Sequence, residues 1–348
     1  MNLQRRLIAL VIALLATSTV LAQTEKRRVI IDTDPGTDDA LAILLALNSP
    51  ELEVEAITVV PGNVVAKQGL DNALKLVSLA NRCDIPVAAG AQQPLLQKTY
   101  TATYWHGKNG LADIELPPSN CKVDARFAPD LIIELVRKYP HEVTLVPVGP
   151  LTNIALAISK DPSIVGLVKD IVIMGGSISG GNVNGAAEAN IFGDPEAAQI
   201  VFNAGWKVTM VGSDVGERTL MNRKHLAQLE GGHGPENDVA TKIARFYIER
   251  SEKNGWHGAA MYDPLAVSVV IDPTLVKLED MHVDVETKGE FTRGETVANR
   301  MGSYENNVLH GDHFEIDGVV PVRNNARVCV SSESERFLQL FITRVKNK

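Results

Sequence analysis

Apolar and polar positions alternate in blocks along the chain, and the blocks predict strands and helices in turn. RRVIID (27–32) reads as a buried strand, DDALAILLALNS (38–49) as a helix and VEAITVV (54–60) as a second strand. AKQGLDNALKLVSLANR (66–82) follows with apolar residues at helical spacing. The alternation resumes farther on. EVTLVPVG (142–149) precedes LTNIALAISK (151–160), and KDIVIMGG (169–176) precedes DPEAAQIVFNAG (194–205). WKVTMVG (206–212) is then followed by a long helical stretch through ENDVATKIARFYIERSEK (236–253). From Val276 the pattern turns β-like in HVDVETKG, GETVANR and ARVCV, before a last helix after Ser332 in which Glu335 is placed to complete a capping box. Such an alternation predicts an α/β fold: one domain with a doubly wound, largely parallel sheet and helices on both faces.

Ligands of such sheets bind beyond the carboxyl ends of the strands. Polar and glycine clusters fall at those ends: Asp32 and Asp34, Gly62 and Asn63, Gly149, then Gly175 and Gly176. The amino-terminal block departs from the pattern. Arg5 and Arg6 precede an apolar run from Leu7 to Ala16 and small residues up to Ala22, the anatomy of a signal peptide, whereas a spanning helix needs about 18 apolar residues. Residues 1–22 are expected to be cleaved and 23–348 to form the domain, periplasmic or secreted and without stable membrane association.

Composition adds little to the fold and something to partners. The 348 residues are 45% hydrophobic and 22% charged, ordinary values for a folded chain. Loss of Arg5 and Arg6 with the leader takes the formal charge from −8 to −10, which makes nucleic acid a poor partner. Three cysteines remain, Cys83, Cys121 and Cys329. A Cys83–Cys121 disulfide with one free thiol and three buried thiols are both open readings.

The stretch DTDPGTDDA (32–40) sets four aspartates around one turn. Asp38 or Asp39 at a helix start would favour the helix dipole and cap free N–H groups. That leaves Asp32 and Asp34 unexplained, because crowded carboxylates repel unless a cation or a shared proton relieves them. A hard cation such as Ca²⁺, which takes about 6 to 8 oxygen ligands, would resolve the crowding. A strand ending in D-x-D also opens one type of phosphatase, in which the first carboxylate is a nucleophile. Pro35 then stands where that motif has glycine, and the Asp38–Asp39 pair has no role.

DTDPGTDDA resembles the amino-terminal signature of the inosine-uridine-preferring nucleoside hydrolases, and further blocks agree in order. They are PGN (61–63), HGKNGL (106–111), VPVGPLTNIALA (146–157), MGGSISGGNVNGAAEAN (174–190), DPEAA (194–198) and YDP (262–264). The resemblance implies hydrolysis of the N-glycosidic bond of a ribonucleoside with a bound Ca²⁺, by a homodimer or homotetramer. It implies metal ligation by Asp34, Asp39, Asp263 and the backbone carbonyl of Val148, with Asp34 also the general base toward the attacking water. Asp38 and Asn63 match groups that hold the ribose 2′- and 3′-hydroxyls, and Asn182, Glu188 and Asn190 match those around the 5′-hydroxyl. His106 is assigned to binding. An acidic site suits the chemistry, since the departing base leaves an oxocarbenium-like sugar.

Many members carry His directly before the distal metal-binding Asp, as a proton donor to the base; here that residue is Tyr262. Three readings follow: protonation by Tyr262 itself, protonation by His257 from the preceding loop, or activation of the base by stacking on Trp105 and Trp256. Stacking favours an electron-poor, protonated base and points to purines. Core packing is the plain alternative for each tryptophan. A non-catalytic nucleoside- or ribose-binding protein is the other reading of the missing His. DPEAA needs no chemistry: Asp194 caps a helix and Pro195 begins it.

Overall fold

The computed structural model describes residues 26–299 and 323–348, so the leader read at 1–22 lies outside the described residues. Twelve strands are described: β1 (Arg27–Thr33), β2 (Leu52–Val59), β3 (Val87–Ala89), β4 (Val123–Asp124), β5 (Val143–Pro147), β6 (Asp170–Met174), β7 (Val208–Val211), β8 (Leu220–Met221), β9 (Ala259–Ala260), β10 (Val276–Val285), β11 (Thr296–Asn299) and β12 (Ala326–Ser332). Ten of them form one sheet in the order β11-β10-β12-β7-β6-β5-β1-β2-β3-β4, while β8 and β9 pair separately. Every pairing from β12 to β4 is parallel, and β10 runs antiparallel to both β12 and β11.

The central strands are apolar throughout because both faces are covered. Val29 and Ile31 of β1 point into one core with the helices Thr37–Leu47, Ala66–Leu79, Pro235–Lys253, Tyr262–Ile271 and Ser334–Val345. Ile30 points into the other, with Ala128–Lys138, Thr152–Lys160 and Pro195–Phe202. The two-residue period of the strand thus divides its side chains between two cores. The helix Tyr262–Ile271 is apolar on all sides, and residues 263 to 271 are all buried, as a helix without a polar stripe must be.

Chain order reverses between β1 and β5: β1, β2, β3 and β4 step one way, β5, β6 and β7 the other. The crevice at such a switch is where a doubly wound sheet accepts a ligand. Asp34 leaves β1 and Val148 leaves β5 at that point, and the Val148 N–H bonds the Asp32 carbonyl at 2.7 Å.

Several local expectations hold. Asp194 caps the helix Pro195–Phe202 by accepting from Ala197 N at 3.1 Å. Of the two open readings for the cysteines the disulfide is the one found: Cys83 and Cys121 are bonded, and Cys329 is a buried free thiol. The last capping box is a correction. The helix Ser334–Val345 starts after Glu333 without a side-chain cap; Ser332 Oγ instead meets Thr219 Oγ1 at 2.7 Å, and Glu335 lies 3.2 Å from His225 Nε2.

Candidate active site

The four aspartates of the opening turn separate into different environments. Asp32, the last but one residue of β1, is wholly buried, and its Oδ1 accepts from Thr58 Oγ1 at 2.5 Å and Asn153 Nδ2 at 2.8 Å. Burial pushes its carboxyl up to about 7. Fixed between strands and outside the cavity lining, Asp32 is no nucleophile, which removes the phosphatase reading. Asp39 accepts from Thr33 Oγ1 (2.5 Å), Gly36 N (2.9 Å) and Asn63 Nδ2 (2.9 Å), so it caps its helix and holds the turn.

Asp34 and Asp38 are less satisfied. Asp34 Oδ2 accepts from Asn63 N at 2.6 Å, but Asp34 Oδ1 and Asp38 Oδ1 are buried oxygens without hydrogen-bond partners. Glycine is required around Asp34. A Cβ on Gly62 would overlap Asp34 Oδ2, and one on Gly149 would lie 2.7 Å from Asp34 Oδ1, too close for carbon.

Asp263 joins them from far along the chain. It occupies the second position of the helix Tyr262–Ile271, which packs against the helix Thr37–Leu47. Both helices aim their amino-terminal ends at one place, where the dipoles favour negative charge. Oxygens of Asp38, Asp39 and Asp263 there lie within 4.8 Å of one another. Asp34 stands beside this group, its charge acting on Asp263 along with those of Asp38 and Asp39. Burial first, then mutual repulsion, pushes the carboxyls of Asp34, Asp38 and Asp263 well above the usual range. Clustered carboxylates with orphaned oxygens, and among the described residues no ammonium or guanidinium paired with them, fit a hard divalent cation. Val148 lies on the cavity wall with its carbonyl turned to Asn190 Nδ2 at 3.0 Å. Asn190 Nδ2 also reaches the Met174 carbonyl at 3.1 Å, so one side chain ties the ends of β5 and β6.

Above the acidic floor opens a cavity of about 390 Å³. Asp38, Asn63, Trp105, His106, Val148, Asn182, Glu188, Asn190, Trp256, Tyr262 and Asp263 line it, so the structure brings most of the expected residues together. Asp34 and Asp39 lie beneath. His257 is exposed and does not line the cavity, although its neighbour Trp256 does. Both Trp105 and Trp256 are partly exposed wall residues, not core packing. Sequence reasoning missed Tyr247, Glu217 and Met174 on the same wall. Tyr247 sits mid-helix in Pro235–Lys253, where the pattern marks it only as an apolar-face residue.

The polar wall groups differ in chemistry. Glu188 Oε2 accepts from Gly176 N (2.9 Å) and Ile191 N (3.2 Å), and Oε1 from Asn190 N (2.9 Å), capping the short helix Ala189–Gly193. Burial outweighs those bonds and pushes its carboxyl up to about 7. His106 Nδ1 accepts from Thr37 N at 3.1 Å, which places its remaining proton on Nε2. Burial pushes the ring down to about 4 and keeps it neutral near pH 7, even with Asp38 Oδ1 3.5 Å away. Burial and then Glu217 push the Tyr262 phenol well above its ordinary value, while the Asn182 side chain bonds it. Asn182 Oδ1 also accepts from Ala189 N at 2.9 Å.

Acidic floor and aromatic wall together suit a sugar that gains positive charge while carrying a flat leaving group. A family model described as "Inosine-uridine preferring nucleoside hydrolase" matches residues 29–339. The chain belongs to the nucleoside hydrolase family. This nucleoside hydrolase is 42% identical over 278 residues to "Uridine nucleosidase 1" of Arabidopsis thaliana, covering 79% of this chain and 82% of that one. It is 38% identical over 322 residues to "Pyrimidine-specific ribonucleoside hydrolase RihA" of Enterobacter sp., covering 91% and 97%. Among solved structures, it superposes on the "Purine-Preferring Ribonucleoside Hydrolase from Gardnerella vaginalis" with a TM-score of 0.81 and 36% identity, covering 92% and 98%. A nucleoside hydrolase is an enzyme of N-glycosyl bonds in ribonucleosides, so the non-catalytic reading falls away. The family is metal-dependent, and the buried acidic cluster is where a cation fits.

Proposed function

We propose that this nucleoside hydrolase is Ca²⁺-dependent, prefers purine ribonucleosides and works outside the cytoplasm. The single observation that carries the purine preference is that Trp105 and Trp256 both line the same cavity, each partly exposed. Relatives divide between uridine or pyrimidines and purines by their names, so the preference rests on the wall. Stacking on the larger purine ring gains more area and favours its protonated form. No imidazolium competes for that role, because His106 is neutral and His257 lies outside.

Asp38, Asp39, Asp263, Asp34 and the Val148 carbonyl would hold the cation; oxygen donors alone favour Ca²⁺. When bound, it supplies a grip on the ribose diol and raises the acidity of the attacking water. Asp34 takes the proton from that water. Asp38 and Asn63 orient the 2′- and 3′-hydroxyls, and Asn182, Glu188 and Asn190 the 5′-hydroxyl. Export is supported by the basic-then-apolar leader and by the Cys83–Cys121 disulfide. A homodimer or homotetramer is the assembly expected.

A reducing-sugar assay over inosine, guanosine, adenosine, uridine and cytidine tests the proposal. Chelator should abolish release, and Ca²⁺ should restore it. Trp256→Ala should cost purines about 1 to 3 kcal/mol of stacking in kcat/KM and uridine less. Uridine cleaved far faster than inosine, with purine turnover untouched by Trp256→Ala, would refute the stacking idea.

A further inference from the structure

The base leaves with the electron pair of the broken glycosidic bond and needs a proton from a group on the cavity wall. Most titratable groups there are committed. Asp38 and Asp263 belong to the carboxylate cluster, and the oxygens of Glu188 take three backbone N–H groups. His106 accepts at Nδ1 and is neutral. Tyr247 and Tyr262 are phenols pushed above their ordinary value by burial, which makes them feeble acids. Tyr100 stands at the rim, its ring edge-on to Phe192.

Glu217 is left. It closes the turn Ser213–Gly216 that follows β7, it lines the cavity half-buried, and its carboxyl has no side-chain or backbone hydrogen-bond partner among the described residues. Tyr262 has Glu217 as its foremost charged neighbour, ahead of Asp38. A carboxyl free of partners can turn its O–H toward a ligand without breaking a bond. We propose that Glu217, in its protonated form, is the acid that delivers a proton to the departing base. This rests on the reading of the cavity as a nucleoside hydrolase site and names the donor that the absent histidine leaves open.

The step balances without a further reactant. The C1′–N bond breaks with its electrons going to the base, the Glu217 O–H proton goes to a ring nitrogen such as purine N7, and water bonds to C1′ and gives its proton to Asp34. The proton on Asp34 then returns to Glu217 through solvent. Burial and the neighbouring Asp214 raise the Glu217 carboxyl and Arg218 opposes them; Tyr262 of the helix Tyr262–Ile271 faces it, and Asp38 and Glu188 act on that same phenol. A raised carboxyl retains its proton to higher pH, which is what a general acid requires.

The experiment compares Glu217→Gln with wild type on inosine and on p-nitrophenyl β-D-ribofuranoside, whose leaving group departs without a proton. The variant should lose on the order of 10²- to 10⁴-fold in kcat on inosine and keep the aryl riboside rate within about threefold. The fall of inosine kcat with rising pH should vanish in the variant. Inosine kcat within about threefold of wild type, or equal losses on both substrates, would overturn the assignment. The two readings fail separately: a wild-type enzyme that frees no ribose from any nucleoside overturns both, whereas those variant results overturn Glu217 alone.

Discussion

Asp34 sits in a space that two glycines clear. Gly62 and Gly149 press their backbones against its two oxygens, and the backbone N–H of the next residue, Asn63, holds Oδ2 at 2.6 Å. Gly62→Ala should therefore displace the carboxyl while sparing the cores. A shift of about 1 Å in a catalytic group costs on the order of 10²-fold in rate, so kcat should fall by about that factor with the circular dichroism spectrum unchanged. Undiminished kcat would mean that Asp34 is not the base. At this scale the cavity was legible in the sequence where its residues are neighbours: the aspartate turn running into its helix, PGN, and the stretch from Asn182 to Asn190 that ends in the short helix Ala189–Gly193. Glu217 and Tyr247 were not readable, because each reaches the cavity alone, from a short turn and from a helix face. His257 was misplaced for the converse reason. One step from Trp256 in sequence, it faces solvent, since consecutive loop side chains need not share a direction.

Elements are joined at the rim by single polar side chains. Asn153 donates to Asp32 Oδ1 (2.8 Å) and the Val59 carbonyl (3.1 Å) and accepts from Ala91 N (2.9 Å), so the helix Thr152–Lys160 ties β1, β2 and the chain after β3. All three bonds are buried. Asn153→Ala strands the Ala91 N–H and weakens the hold on Asp32, and an orphaned buried group costs about 1 to 3 kcal/mol. Urea unfolding should show a loss of about that size or more; a change within about 0.5 kcal/mol, ordinary for surface sites, would mean that the tie is dispensable. The long strands and helices were legible from their apolar blocks. β3 and β4 were not legible, because with three and two residues they are too short for a periodic signal. The helix Ala128–Lys138 buries Leu131, Ile132, Leu135 and Val136, a pattern the sequence reading passed over.

The whole molecule carries the consequence of burying so many carboxyls. Glu188 and Asp32, both raised to about 7, bind protons more tightly folded than unfolded. Their contribution is fully present below the ordinary carboxylate range and is lost as pH rises through about 7. In chelator, Tm should therefore fall from pH 5 to pH 8, less steeply for Glu188→Gln. Added Ca²⁺ should raise Tm more at pH 8 than at pH 5, where protons already occupy the cluster. A flat profile in chelator would contradict the burial described. The crevice between β1 and β5 has one more implication. The aspartate turn and Asp263 lie far apart in sequence and meet only where the helices Thr37–Leu47 and Tyr262–Ile271 pack together, so a peptide that stops short of residue 262 would keep the turn and lack the carboxylate that completes the cluster.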